Sequence, residues 1–303
     1  MTGTPAYQGP AEHIIDVAGT LVHCYPGAGD HRDEATIRSF GEEWEKFNTF
    51  DEDEIRLAGD EYFDIVPDDL LGPNVVAMDL GCGSGRWTRY LSAKVGHIDS
   101  IDPSEAVLHA ARTHGDLRNV RWTRAGVDNI PFPDGTFDLI ICLGVLHHVP
   151  DTEGAIGKAA KKLRPGGHML LYLYYALDGR GGAYRMLFQL SDLFRRVIHR
   201  LPGSAKRAVC DVIAIGVYWP LRSMARIARW ITGPDGGWKR LPLSHYHDKS
   251  MQVLRNDALD RFGTPLEQRF TKDRMGEMML KAGLNEIRFS DRSPYWHAIA
   301  RRG

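Results

Sequence analysis

Cysteine is scarce in this 303-residue sequence: Cys24, Cys82, Cys142 and Cys210 lie far apart, and no two form a C-x-x-C pair. That spacing argues against a zinc ribbon or a disulfide framework and implies reduced thiols. Also missing are a run of about 18 apolar residues and a basic start leading into an apolar core, so neither a membrane span nor secretion is expected and a cytoplasmic location follows. No internal repeat is present. What remains, with 43% hydrophobic and 25% charged residues, is a globular composition long enough for one large domain or a core with additions.

The formal net charge is only -1, yet the charges are unevenly placed. Residues 30–64 hold 13 Asp/Glu against 4 Lys/Arg, a balance of -9, and residues 181–242 hold 11 Lys/Arg against 3 Asp, a balance of +8. Two solvated faces, packed together within or between subunits, account for this simply. The sharper reading is a basic segment that meets an anionic substrate or a membrane surface. Nucleic acid is not expected, since that segment has few signs of a recognised binding module.

Residues 75–87, VVAMDLGCGSGRW, hold an apolar run that ends on Asp79 and opens into Gly81, Gly83 and Gly85. Such a run suits a buried parallel strand, and small residues after it let a ligand approach the backbone at the carboxyl edge of an α/β sheet. The G-x-G-x-G spacing differs from the G-x-G-x-x-G of a dinucleotide turn. An acid beside it would repel a pyrophosphate but accept a hydrogen bond from an ammonium, so a cationic, phosphate-free cofactor fits better.

Strand-like and helix-like stretches alternate from 75 to 175, which predicts a parallel sheet with crossover helices. VVAMDL, HIDSI, VRWTRA, FDLIICLG and HMLLYLYY read as strands. Between them, Ser104 is placed to cap EAVLHAAR, and Pro165-Gly166-Gly167 to stop GAIGKAAKKL. Near the end, a Thr271-capped helix closed by Gly283 precedes LNEIRFS and YWHAIARR, an expected hairpin with Pro294 in its turn. Asp102, at the end of the second strand, can accept both ribose hydroxyls of a nucleoside ligand or serve as a turn acid before Pro103.

The boundaries expected are an N-terminal extension over 1–65, a core over 66–176 and 266–303, and a helical lid insertion over 177–265. In the extension, Phe40, Trp44 and Phe47 share a helical face. In the insertion, Leu187, Leu190, Phe194, Val197 and Leu201 form an apolar stripe on a basic helix, and Pro220 breaks a second helix before Met224, Ile227 and Ile231 resume the spacing. This apolar surface is expected to pack on the core, with peripheral membrane contact the lesser reading.

Through Asp79-Leu80-Gly81-Cys82-Gly83-Ser84-Gly85, with Asp102 and the downstream loops, residues 75–175 resemble the class I S-adenosylmethionine-dependent methyltransferases, and the core looks similar to ubiquinone- and menaquinone-biosynthesis and small-molecule members. The resemblance implies a Rossmann-like α/β fold with a seven-stranded, mostly parallel sheet and an antiparallel terminal hairpin. It implies S-adenosylmethionine as cofactor, held by Asp79, Gly81, Cys82, Gly83 and Gly85, then by Asp102, Pro103 and Ser104. GVDNIPFPDGTFDLI resembles the third family signature, so Gly126, Val127 and Asp128 would border the adenine. Gly126 stands where an acid often takes the adenine amino group. In CLGVLHHVPD, Leu143 and Gly144 would approach the methionine part through backbone atoms.

His147 and His148 are the candidate general bases, since imidazole titrates near neutrality. They could equally hydrogen-bond the local turn, and proximity alone can support transfer from a sulfonium. Tyr172, Tyr174 and Tyr175 could orient an acceptor or simply pack. His245, His247, Asp248, Asp257, Asp260 and Glu267 could close over it, although H-x-H without a fixed ligand spacing does not make a metal site, and no metal is expected. The function expected is O-methylation of a small organic acceptor, anionic or partly apolar. Aminopropyl transfer and a non-catalytic binding partner of the same fold are the alternatives, and oligomeric state is left open.

Overall fold

A computed structural model describes residues 4–25, 27, 33–38, 41, 51–176, 181–292 and 296–303, without the side chains of 183–185 and 187. The helical face expected at Phe40, Trp44 and Phe47 lies outside these residues, as do Pro294 and the side chain of Leu187. The chain divides into two compact units, Met1–Asp178 with Leu266–Gly303, and Gly179–Pro265.

Nine strands among the described residues of the first unit form one sheet, in the order β1-β2-β5-β4-β3-β6-β7-β9-β8. They are β1 (His13–Val17), β2 (Thr20–Cys24), β3 (Gly72–Leu80), β4 (Val95–Asp102), β5 (Val120–Arg124), β6 (Phe137–Leu143), β7 (Leu163–Tyr172), β8 (Leu284–Phe289) and β9 (His297–Arg302). The pairs from β2 through β7 are parallel; β1 with β2, β7 with β9 and β8 with β9 are antiparallel. The fold is thus Rossmann-like, as the strand pattern predicts, but seven strands fall two short. The N-terminal segment supplies the other two: β1 and β2 make a hairpin, and β2 adds to the sheet edge with Val22 opposite Trp122.

β6 is buried at every position, because its alternate residues enter two different cores. Ile140 and Cys142 meet Met78, Leu80 and Met169 on one face, while Leu139, Ile141 and Leu143 meet Ala77, Ile98 and Leu170 on the other. A sheet covered on both faces needs no polar alternation, hence the unbroken run LIICL after Asp138, whose carboxylate accepts from the Val76 N–H at 2.7 Å. Strand order reverses at β3, where β4 lies on one side and β6 on the other. In open α/β sheets this switch opens a crevice at the strand carboxyl ends, where ligands bind.

Helices before the second unit include α1 (Glu52–Tyr62), α2 (Arg86–Ser92), α3 (Ala106–Thr113) and α4 (Thr152–Lys162). Asp51 caps α1 by accepting from the Asp53 N–H, and Asp151 caps α4 by accepting from the Gly154 N–H.

The second unit contains α5 (Gly182–Ile198), α6 (Gly203–Ile213), a π-helical turn over Ala214–Tyr218, α7 (Trp219–Thr232) and α8 (Met251–Gly263). α8 packs on α5 and α6, and Arg255 on it donates from Nε and Nη2 to Asp211 on α6 at 2.7 and 2.6 Å. Two expectations fail in this unit. Pro220 does not break the helix: in the π turn the Trp219 N–H reaches back to the Ala214 carbonyl, and this wider turn accommodates a residue that lacks an N–H and crowds the preceding turn. The stripe on α5 is not packed away either, since Leu190, Phe194 and Val197 are exposed. Gly203–Thr232 is moreover one 30-residue helix long and apolar enough to cross a membrane by length and composition, because its polar residues are spread thinly rather than absent.

The chain re-enters the sheet unit through α9 (Lys272–Lys281), where Thr271 accepts from the Arg274 N–H as predicted, and ends in the β8–β9 hairpin. All four cysteines are free and buried.

Candidate functional site

β3 delivers its apolar run to the carboxyl edge and the glycine loop turns back over β4. The N–H groups of Gly81 and Cys82 both donate to the Ile101 carbonyl, at 2.7 and 3.0 Å. Gly81 has φ +80°, and a Cβ there would lie 2.5 Å from Val145 Cγ1. A side chain is therefore excluded twice, by backbone conformation and by contact. The Ser84 hydroxyl in this loop is buried with no hydrogen-bond partner among the described residues.

Two buried acids stand at neighbouring strand ends. Thr88, on α2, donates from Oγ1 to Asp79 Oδ2 at 2.7 Å and lies 2.8 Å from the Ser100 hydroxyl of β4. Burial raises the Asp79 carboxyl to about 7; the Thr88 hydrogen bond opposes the rise and the Asp102 charge adds to it. Asp102 Oδ2 accepts from the Gly83 N–H at 2.9 Å, and Oδ1 accepts from the Ser104 N–H and hydroxyl at 2.8 and 2.6 Å. Its carboxyl is raised by burial, against the donors of Ser104 and Gly83. Ser104 Oγ in turn accepts from the Ala106 N–H at 3.2 Å, which starts α3. Asp102 thus serves the turn, while its oxygens retain lone pairs for ligand hydroxyls. Neither acid is ion-paired among the described residues, so a cationic ligand with a ribose fits the donor set.

Further round the edge, Gly126 donates its N–H to Asn129 Oδ1 at 2.8 Å and Val127 is buried. The Asp128 carboxylate is engaged by the Lys158 ammonium, so it enters any ligand contact as half of an ion pair. Leu143 closes β6, and Gly144, at φ +79°, donates its N–H to the Tyr172 carbonyl at 3.2 Å.

The histidine pair follows directly. His147 is fully buried between His148, with ring centroids 4.0 Å apart, and Tyr174, at 3.8 Å. Neither of its nitrogens has a hydrogen-bond partner among the described residues. Burial, then the neighbouring His148 and Arg269, holds its pKa well below the ordinary value, so this ring is neutral. His148 Nδ1 lies 2.7 Å from the Leu266 carbonyl. A carbonyl only accepts, so Nδ1 carries a proton, and Nε2 is buried.

Tyr174 lies under the Arg269 guanidinium, 5.0 Å from the ring centroid, and Arg269 Nε pairs with Glu267 at 2.8 Å. Tyr175 bridges to Phe270 and meets Trp296 edge-on. Tyr172 continues toward Tyr62 and Trp87 through ring contacts of 5.2 and 4.8 Å. His245 and His247 belong to the other unit, where His245 packs on Tyr246 and His247 on Trp238. No group of side chains that could hold a metal is found among the described residues.

Thr88, Arg269 and Gln268 escape a reading by motif. Gln268 donates its backbone N–H to the His147 carbonyl and Nε2 to the Val149 carbonyl, at 3.0 and 2.6 Å. Thr88 carried a usable signal, one helical turn beyond the glycine loop. The other two lie over a hundred residues from the histidine loop in sequence, and no local pattern marks them.

Paired acids at the ends of β3 and β4, joined through a glycine loop at the sheet's switch point, define a nucleoside-binding Rossmann-like domain. Comparison with known proteins makes this specific. Residues 78–171 match the family described as methyltransferase domain, and this segment is similar to the class I S-adenosylmethionine-dependent methyltransferases, which makes S-adenosylmethionine its cofactor. A ubiquinone biosynthesis O-methyltransferase of Marinobacter nauticus is 34% identical over 100 residues, covering 31% of this chain and 42% of that protein. A demethylmenaquinone methyltransferase of Listeria monocytogenes is 32% identical over 104 residues, covering 32% and 43%. The matched part spans less than half the length of either relative. Among solved structures, an S-adenosylmethionine-dependent methyltransferase of Aquifex aeolicus aligns over 84% of this chain and 98% of its own, at 14% identity and a TM-score of 0.40.

Proposed function

We propose that the protein methylates an oxygen of a small, partly apolar organic acceptor. The observation that carries this reading is the fixed orientation of the His148 ring, in the loop after β6, whose Nδ1–H is held by the Leu266 carbonyl. With Nδ1 tied, Nε2 is the ring nitrogen left for an acceptor hydroxyl, the proton acceptor that O-methylation calls for; it is buried, so the acceptor reaches it only where the loop after β6 gives way. His147, neutral and stacked between His148 and Tyr174, holds that ring in place. The aromatic run Tyr174, Tyr172, Tyr62 and Trp87 supplies an apolar wall on which an organic ring could lie. The O-methyltransferase name of one relative points the same way.

S-adenosylmethionine, when bound, supplies an electrophilic methyl group on a sulfonium and leaves as the neutral thioether. The chain's own part is positional. Asp102 and the Gly83 backbone orient the ribose, Asp79 offers a carboxylate to the ammonium, and Gly81 lets the methionine part approach the backbone. His148 Nε2 takes the proton of the attacking hydroxyl.

Calorimetry with S-adenosylmethionine tests the cofactor half: Asp102→Ala is expected to weaken binding about 10- to 100-fold, the worth of hydrogen bonds to a buried charge. Unaltered binding would remove the site. Mass spectrometry of metabolite mixtures, seeking the gain of one CH2, then finds the acceptor. With it, His148→Ala should lower kcat about 100-fold while S-adenosylmethionine affinity is unchanged. An unchanged kcat rules out the base.

A further inference from the structure

The second unit presents an apolar surface that its own fold does not cover. Along α5, Leu190, Phe194 and Val197 recur at steps of four and three, and Phe194 is 63% exposed. Along the continuous helix of α6, π turn and α7, the exposed apolar residues include Val212, Ile215, Val217, Trp219, Met224, Ile227, Trp230 and Ile231, with Trp230 at 86%. Val212 and Ile231 are separated by about five α-helical turns plus the one residue that a π turn inserts, which brings both to the same side. The π turn therefore keeps one stripe in phase through a helix that Pro220 would otherwise interrupt. Cys210, Ala214, Tyr218 and Ala225 are buried, and α6 packs against α8, so this helix has an occupied side and an open one.

The same unit carries exposed cations. Arg200 lies just past the end of α5, Arg226 on α7 and Arg240 beyond it; Arg196 and Lys239 are exposed too and pair with Asp192 and Asp235 at 3.0 Å, and Arg229 lies over the Trp238 ring. Residues 181–242 carry the balance of +8. An apolar stripe with two tryptophans, on a unit rich in exposed cations, has the composition of a helix lying in a membrane interface, with Trp rings at the headgroup level and long cationic side chains reaching the phosphates. The positive charge selects an anionic surface. Spanning fits less well: one side of the helix is taken by α8, and the Asp211–Arg255 pair and the α7 arginines would enter hydrocarbon.

We propose that the helical unit docks onto an anionic lipid bilayer, with the α5 and α6–α7 stripes at the acyl boundary and the exposed arginines on headgroup phosphates. This goes beyond the proposed activity and does not depend on it, because none of these residues belongs to the cofactor site.

The test is co-sedimentation of the full chain with phosphatidylcholine vesicles, with or without phosphatidylglycerol. Partition is expected to be at least about tenfold stronger on the anionic vesicles, to fall as salt is raised, and to be reversed by alkaline carbonate. The triple variant Ile227→Ser, Trp230→Ser, Ile231→Ser, and separately Arg200→Glu with Arg226→Glu, should each lose about tenfold or more, with circular dichroism and S-adenosylmethionine affinity unchanged. Equal partition on both vesicle types, no partition, or partition retained by the triple variant would overturn the proposal. So would resistance to carbonate, which means spanning, or a solution dimer abolished by the triple variant, which means that a second copy covers the stripe.

Discussion

At the scale of single residues, Asp79 is the group whose chemistry the fold alters most. It is buried beside a second acid, and its carboxyl rises to about 7. A raised acid pKa means that the ligand-free site holds a proton at mildly acidic pH. A cationic ligand favours the ionised form, so binding must expel that proton. Affinity for S-adenosylmethionine is therefore expected to climb as pH rises from about 5.5 toward 7.5, by at most about tenfold per pH unit on the acidic side. Calorimetry in buffers of different ionisation enthalpy would register proton release below about pH 7, and Asp79→Asn should flatten both signals. Pronounced release that persists in Asp79→Asn would assign the proton elsewhere. Gly81 gives a steric counterpart. Ala there meets a φ of +80° and Val145 at 2.5 Å, so Gly81→Ala should cost about 1–3 kcal/mol of strain and more than about tenfold in cofactor affinity. Binding equal to wild type would mean that Val145 and the loop relax freely.

At the scale of elements, the parallel core was readable because burial on both faces leaves unbroken apolar runs, of which β6 is the plainest. The acids at the ends of β3 and β4 were readable for a related reason: a polar residue stands out where such a run stops. The N-terminal hairpin was not read, although HIIDV and TLVHC flank a two-residue turn that ends in glycine. Its strands are short, and Ala18 obscures a turn in which both central residues have positive φ, 53° and 86°. The histidine loop was legible as chemistry but not as geometry, because the Leu266 carbonyl that orients His148 and the Arg269 beside Tyr174 come from the far side of an 87-residue excursion. The hairpin also supplies a prediction. An L-residue in the left-handed region costs about 1–2 kcal/mol, and replacing Ala by Gly returns about 0.5–1 kcal/mol of that to the entropy of the unfolded chain. Ala18→Gly should therefore stabilise slightly, by up to about 1 kcal/mol, read as a small rise in Tm. A fall in Tm would mean that the turn does not hold Ala18 in that region.

At the scale of the whole molecule, cofactor chemistry and the exposed apolar surface fall in different units. The residues matched to the methyltransferase family, 78–171, end before α5 begins, so the helical unit lies outside the part that the family match covers. The sheet unit also closes on itself across the excursion: the Ala176 N–H donates to the Phe270 carbonyl at 2.9 Å, and the Phe270 N–H to the Tyr174 carbonyl at 2.9 Å. A chain that leaves and returns at a paired position needs only a short connection, and the entropy of closing such a loop grows slowly with its length. Replacing residues 179–265 by a short Gly-Ser linker should therefore leave a folded sheet unit that binds S-adenosylmethionine within about threefold of the full chain. The same protein should lose partition onto anionic vesicles, and its net charge should become more negative through loss of the basic helices. Circular dichroism, calorimetry and sedimentation read the three outcomes separately. A truncated protein that is unfolded would show that the two units fold as one cooperative body, and one that binds cofactor yet still sediments with vesicles would move the lipid surface onto the sheet unit.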